Sequence, residues 1–405
     1  MSQTVAIIGY GAAAVNALIA LRTSGYPDKV MVFSNTDTPP YSPVMTSHYA
    51  AGTATREGMF PWSVEELSML DAEVVCAEVT ALNAAAHTLI AGGQEYAFDA
   101  CLIASGASPV VDAGAFPEGA TPLTLRTVAD AEVLCAALTS ENCDRVLVSG
   151  TSMVALKAVD ACLARGKEVT LLGRSEHLMR KNAAEDTAAA FEAALVEMGV
   201  DLRLSQVIEE MELVDGQLRV TFSNGEVADY SQVLMAHGVK PNLGFVSDIE
   251  LGAHDGLLVD QFMRTSAASV YAAGDVTETP NFASGKPGIA GLWKEACLQG
   301  ACAGRAIAAD LAGTEPQGAY AGYLPNNCVT VSNAVMLSAG TVELSTQRWS
   351  ELVQRNGCLV LSVYEQDPET GAVSLVGYNV FSNNADPATS DAYDEAAMLY
   401  RRLTA

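Results

Sequence analysis

Positive charge is what this chain of 405 residues most lacks: 22 lysines and arginines stand against 48 aspartates and glutamates, a formal net charge of -26. That deficit excludes nucleic acid and anionic membrane as partners, because both would repel it. A basic protein partner, or a solvated acidic surface alone, is compatible with it. Long apolar runs are missing too. No stretch of about 18 apolar residues is free of charge, so no membrane span is expected. The opening MSQTVAIIGYG has no basic n-region and enters a strand at once, which argues against a signal peptide. Cysteine is present but unorganised: nine residues, an odd number, with no C-x-x-C. Free thiols in a reducing cytoplasm fit that usage. The histidines show no ligand spacing, so no metal site is expected. What remains is half hydrophobic and 17% charged, an ordinary balance for a globular enzyme of two or three domains.

The pattern predicts a strand at Val5–Ile8, an alanine-rich helix to about Ser24, and a second strand at Val30–Phe33. Between the first two stands Gly9-Tyr-Gly11-Ala-Ala-Ala14, a G-x-G-x-x-A turn. Gly9 permits the tight turn, Gly11 lets a pyrophosphate approach the backbone, and Ala14 lets helix pack on strand. In that position it reads as a dinucleotide-binding turn. The acid expected after the second strand is absent from Ser34-Asn-Thr-Asp37, and Asn35 is the substitute for holding a ribose. Pro39–His48 reads as a rigid loop leading into a helix with Thr46 or Ser47 as its cap. A helix over Ser63–Leu70 follows, then a small meander of Glu73–Val79, Thr88–Ala91 and Tyr96–Phe98. Asp99–Pro109 returns to the parallel sheet, where the Ser105-Gly106 turn sets backbone amides beside a cofactor.

A second βαβ unit begins at Arg145, with the turn Gly150-Thr-Ser152-Met-Val-Ala155, a helix to about Arg165 and a strand at Glu168–Leu172. Serine and alanine stand where the second and third glycines would be, and both are small enough to admit a pyrophosphate. Arg174 follows that strand instead of an acid. An arginine there can pair with a 2′-phosphate, which leans towards NADP over NAD. A structural unit with weak or no nicotinamide binding is the alternative. Next come a helix over Glu185–Met198 and a second meander of Asp201–Leu204, Glu209–Leu213 and Leu218–Phe222. His237-Gly-Val-Lys-Pro-Asn242 is an exit turn. Ser269–Val276, SVYAAGDV, is an apolar strand ending in Gly274-Asp275, with helical sequence after a short loop. Lys294–Ala312 is a small-residue helix closed by Gly313, and a C-terminal region of strands ends in a helix from Asp394.

In order and spacing, GYGAAA, IASGASP, GTSMVA and YAAGDV, with HGVKPN, ACLQG and GYLPNN, make the chain resemble the FAD-dependent pyridine nucleotide–disulfide oxidoreductase superfamily over about residues 4–340. The loop PPYSPVMTSHYAAG and the turn GTSMVALK are most similar to flavoproteins that pass electrons between NAD(P) and iron–sulfur partners. These include ferredoxin and rubredoxin reductases, the nitrite reductase flavin module and the phenylglyoxylate dehydrogenase flavoprotein. The resemblance implies an α/β fold with two Rossmann-like domains of three-layer ββα type and a C-terminal α+β interface domain. Residues 1–115 and 245–320 would bind FAD, 116–244 would bind NAD(P), and 321–405 would form the interface domain, which in this superfamily often makes a homodimer. FAD is the implied cofactor and NAD(P)H the co-substrate. Asp275 would accept hydrogen bonds from the flavin ribityl chain, and Gly274 would allow its close approach. Ser47 and Trp293 join Gly9, Gly11, Ala14, Asn35, Ser105 and Gly106 at the flavin, while Gly150, Ser152 and Arg174 hold the nicotinamide nucleotide.

Departures from the superfamily narrow the chemistry. Its disulfide reductases carry a redox cysteine on the helix after the first flavin loop, and Pro43–Gly52 has none. Cys297 and Cys302 have C-x4-C spacing on the late helix, but five residues is about 140° of rotation, so they point to different faces. Ferredoxin reductases pair a lysine on the early helix with a glutamate on the second Rossmann helix; the matching positions here are His48 and Lys157. These are the two candidate catalytic residues: Lys157 to steady a reduced flavin or a phosphate, His48 to donate to the flavin or relay a proton. The leading reading is hydride transfer between NAD(P)H and FAD, then one-electron steps to a ferredoxin-like or iron–sulfur protein. Two others stay open. One is a flavin reductase of a small organic acceptor or oxygen, with Trp293, Tyr323 and Asn326 around its pocket. The other is a non-catalytic electron-transfer or scaffold subunit of a larger complex.

Overall fold

The structure, a computed structural model, describes residues 2–404 apart from 113 and 115. The chain forms two units, one of Met1–Val44, Arg56–Ser108 and Val239–Tyr323, the other of Met45–Thr55, Pro109–Gly238 and Leu324–Ala405.

The first unit is built on five parallel strands in the order Val270–Ala272, Ala100–Ile103, Thr4–Ile8, Lys29–Ser34 and Glu73–Cys76. Its central strands are unbroken apolar runs because both faces are covered. Val5, Ile7, Val30, Val32 and Leu102 face the helices Ala12–Thr23 and Trp293–Ala312. Ala6, Ile8, Met31, Phe33 and Ile103 face a three-stranded antiparallel meander of Val79–Asn83, Thr88–Ala91 and Gln94–Ala97. The two helices touch through glycines: a Cβ on Gly300 would lie 2.1 Å from the Ala13 carbonyl oxygen, and one on Gly304 2.4 Å from that of Ala17. The contacts climb both helices together, so the helices run in the same direction.

The second unit repeats the plan with four parallel strands, Asp201–Leu204, Glu168–Gly173, Arg145–Ser149 and Gln232–Met235, and a meander of Ile208–Val214, Gln217–Phe222 and Val227–Tyr230. Its C-terminal part is a five-stranded antiparallel sheet, with the helix Asp391–Leu403 over one face. Buried Asn379 joins the two parts. Its side-chain oxygen accepts from the Ala184 amide at 2.8 Å and the Thr187 hydroxyl at 2.9 Å, and its amide donates to the Asn182 carbonyl at 2.9 Å.

Three local expectations are corrected. Glu73–Cys76 and Asp201–Leu204 do not open the meanders; each is the outermost strand of its parallel sheet. An edge strand is half-exposed and therefore carries the same mixed pattern as a meander strand. The helix after the proline loop starts at Pro43, so Thr46 and Ser47 lie buried inside it and neither caps it. Proline suits a first helical turn because its missing N–H is not needed there. Finally, the chain beyond Asp275 does not pass through a short loop into a helix. Thr277–Asn281 and Lys286–Gly288 first form an antiparallel pair, and the helix begins at Trp293. Among the described residues, no helix is long and apolar enough to cross a membrane.

Candidate functional site

Each unit carries a βαβ turn at the carboxyl end of its parallel sheet. In the first, the Gly9 amide donates to the Phe33 carbonyl at 2.8 Å and the Ala104 amide to that of Ile8 at 2.8 Å. Gly9 has φ +105°, and a Cβ there would sit 2.2 Å from the Ala104 oxygen, so only glycine closes this turn. Gly11 is the N-cap of Ala12–Thr23, contributes no side-chain cap, and has nothing within 4 Å of where its Cβ would be. The first amides of that helix thus receive no side-chain cap at its positive end, and the space beside Gly11 is open. This is the cradle that a dinucleotide pyrophosphate requires. Ala14 is fully buried against the sheet.

The Gly274-Asp275 turn lies alongside. A Cβ on Gly274, whose φ is +85°, would be 3.4 Å from the Ala13 Cβ and 3.7 Å from that of Ala296. The Gly274 amide donates to the Gln299 side-chain oxygen at 2.7 Å, and the Thr277 hydroxyl donates to the same oxygen at 3.0 Å. Half-buried Asp275 is thus placed where the first turns of two parallel helices converge. Both helices present positive ends there, which favours an anionic ligand. Trp293 opens the second helix and lies against Trp62, with ring centroids 5.7 Å apart. The Ser105 hydroxyl donates to the Asn242 carbonyl at 2.7 Å, and the Asn242 side chain returns a bond to the Ser105 carbonyl at 3.0 Å. Gly106 follows at φ +68°. Asn35 is exposed one residue past its strand.

The second turn has the same frame. The Gly150 amide donates to the Leu172 carbonyl at 2.8 Å and the Ala236 amide to that of Ser149 at 2.8 Å. Gly150 has φ +138°, with the Ala236 oxygen 2.5 Å from its would-be Cβ. Ser152 is the N-cap here, and its hydroxyl accepts from the Ala155 amide at 3.4 Å. Arg174 is exposed just past the second strand. His237 follows Ala236 as Ser105 follows Ala104, and its Nε2 is 2.8 Å from the Ser149 hydroxyl. Burial of the ring, and next the Arg174 guanidinium, hold the imidazole below the ordinary histidine range.

His48 and Lys157 both belong to the second unit. The Lys157 ammonium donates to Asp160 at 2.6 Å and to the carbonyl and hydroxyl of Thr330 at 3.1 and 3.3 Å, which commits all three of its protons. Burial first, then the Lys157 charge, lower the His48 pKa, while Asp160 opposes the shift. The His48 Nδ1 is 3.3 Å from the Thr53 hydroxyl. All nine cysteines are free; Cys297 is half-buried and Cys302 buried. Among the described residues, no group of three His, Cys, Asp or Glu side chains could hold a metal ion. Gln299 and His237 lie within the motifs ACLQG and HGVKPN, but no role for either follows from the sequence. The internal repeat offered one signal, since HGVKPN follows its strand as SGASP follows the other.

Residues 3–300 match the family described as pyridine nucleotide-disulphide oxidoreductase. The chain is 25% identical over 383 residues to the NADH-dependent phenylglyoxylate dehydrogenase subunit epsilon of Aromatoleum evansii, spanning 93% of this chain and 88% of that one. It is 26% identical over 287 residues to putidaredoxin reductase of Pseudomonas putida, spanning 68% of this chain and 67% of that one. The solved structure of a NAD-dependent persulfide reductase from A. fulgidus shares the fold, with a TM-score of 0.87 at 20% identity over 99% of this chain and 76% of the other.

Proposed function

This chain belongs to the pyridine nucleotide-disulphide oxidoreductase family, FAD-dependent oxidoreductases that use NAD(P)H, and we propose that it passes electrons between the nicotinamide nucleotide and an external iron–sulfur protein. One observation carries the proposal: the helix Pro43–Ala51 contains no cysteine, and none of the nine thiols is paired. No thiol relay then stands between the cofactor and the acceptor. FAD, when bound, takes up a hydride equivalent and releases electrons singly, which suits a one-electron carrier. Two relatives bear names that fit, a dehydrogenase subunit and a reductase of putidaredoxin.

In this reading the first unit holds FAD. The open amides after Gly11 receive the pyrophosphate, Asp275 accepts from the ribityl hydroxyls, and Trp293 with Trp62 forms an apolar wall. Asp275 suits that role because it is half-buried at the carboxyl end of its strand, beside the first turns of both helices. The turn at Gly150 and Ser152 receives the nicotinamide nucleotide, and Arg174 meets its adenosine end. Burial first, and then the Lys157 charge, favour the neutral imidazole of His48 against the opposing Asp160, so that His48 serves as a hydrogen-bond donor and not as a fixed cation. The net charge of -26 calls for a partner that docks through a basic or apolar face.

Anaerobic titration with NADH and then NADPH should bleach the flavin band of the purified protein, and an iron–sulfur protein should restore it. Reoxidation by persulfides or quinones alone would overturn the choice of partner. Asp275→Ala is expected to give colourless protein, and a fully yellow variant would sink the flavin assignment.

A further inference from the structure

Among the described residues, two helices carry an acid at their third position that reaches back to its own cap. Glu66 accepts from the Ser63 amide at 2.7 Å, and Asp130 accepts from the Thr127 amide at 2.9 Å. The helix Trp293–Ala312 has an acid at the same place, Glu295, behind the cap Leu292. There the carboxylate turns inward. Glu295 is 8% exposed and accepts from the Tyr320 hydroxyl at 2.6 Å, and the cap has no side-chain bond. Burial, and then that bond, push the Tyr320 phenol well above the usual tyrosine range, so it stays a donor. One turn further on, Gln299 binds the Gly274 amide.

Left to local preference, Glu295 would close its helix terminus as Glu66 and Asp130 do. We propose that Glu295, held off its own helix terminus by Tyr320, is the positioning residue that sets the electron affinity of the flavin bound beside Gly274 and Asp275. It acts in two ways. It leaves the terminal amides of Trp293–Glu295 open as donors towards the cofactor site, next to the Ala13–Gly274–Ala296 contact. It also keeps one negative charge behind them, which opposes the positive end of the helix and makes added electrons less welcome. This inference rests on the flavin reading above.

Midpoint potentials of the FAD-loaded protein, measured against a reference dye, test it with two variants that act in opposite directions. Glu295→Gln keeps an acceptor for Tyr320 and removes the charge. Its flavin is expected to become easier to reduce, with the equilibrium against the dye moving about tenfold, or about 30 mV for a two-electron couple. Tyr320→Phe frees the carboxylate to close its own terminus, so the flavin should become harder to reduce and FAD should bind the apoprotein several-fold more weakly. A structural role alone would lower the melting temperature of both variants and leave both potentials at the wild-type value. That result, in protein that still carries FAD, overturns the inference. Wild-type protein that purifies and reconstitutes without flavin would instead overturn the site reading itself.

Discussion

The turns at Gly9 and Gly150 are built from the same backbone contacts, yet they finish differently. In each, the first glycine donates to the end of the second strand, and its missing Cβ makes room for the carbonyl that follows a third strand. The difference lies two residues on. Gly11 leaves its helix uncapped and the space above it open, whereas Ser152 spends its hydroxyl on the Ala155 amide. One terminus has no side-chain cap, and the other is partly satisfied by its own chain. In the proposed function, a tightly held FAD at the first turn and an exchangeable nicotinamide nucleotide at the second would use that contrast, because a co-substrate must leave each cycle.

If the frames are equivalent, breaking either should cost about the same. Gly9→Ala and Gly150→Ala each force a Cβ onto a carbonyl oxygen, at 2.2 and 2.5 Å, from a backbone with positive φ. Each is expected to destabilise its unit by about 2–4 kcal/mol, read as a fall in the denaturant midpoint. A mild effect at one site alone would show that the shared frame is not what holds both turns.

Exchanging the caps is a smaller and sharper change. Gly11→Ser should add a few tenths of a kcal/mol to apoprotein stability while weakening FAD about tenfold, since the hydroxyl takes an amide and fills the open space. Ser152→Gly should cost a few tenths of a kcal/mol and tighten NAD(P)H binding. Calorimetry of the two variants decides the matter: equal nucleotide affinity before and after Ser152→Gly would remove self-capping as the cause of the contrast.

The glycine turns were legible in the sequence because only glycine can occupy Gly9, Gly150 and Gly274 at positive φ, and the flanking apolar runs place them between strand and helix. The edge strands Glu73–Cys76 and Asp201–Leu204 were not, since exposure gives them the pattern of a meander. Contacts across the chain were equally hidden. Nothing in the pattern around Lys157 points to Thr330, which lies 173 residues away and takes two of its three hydrogen bonds. Gln299 and Glu295 are polar residues of a small-residue helix, yet both are buried, because their partners come from the Gly274–Thr279 segment and from Tyr320.

The smallest expected effect separates the turns by pH. Ser105 has no titratable side chain, but its counterpart His237 is held below the ordinary histidine range by burial of its ring and then by the Arg174 charge. As the pH falls through about 6.5, the unfolded chain takes up a proton that the folded imidazole resists, so stability is present above that value and is lost towards lower pH. His48, lowered for similar reasons, acts in the same direction within the same unit. The second unit should therefore lose stability between about pH 7 and pH 5 more steeply than the first, as amide exchange resolved by unit would show. His237→Asn, which keeps a partner for the Ser149 hydroxyl, should flatten that slope in part, and Arg174→Gln should raise the His237 pKa seen by NMR. If the slope is the same with His237→Asn, the His237 imidazole does not resist protonation, and the two turns differ only in their caps.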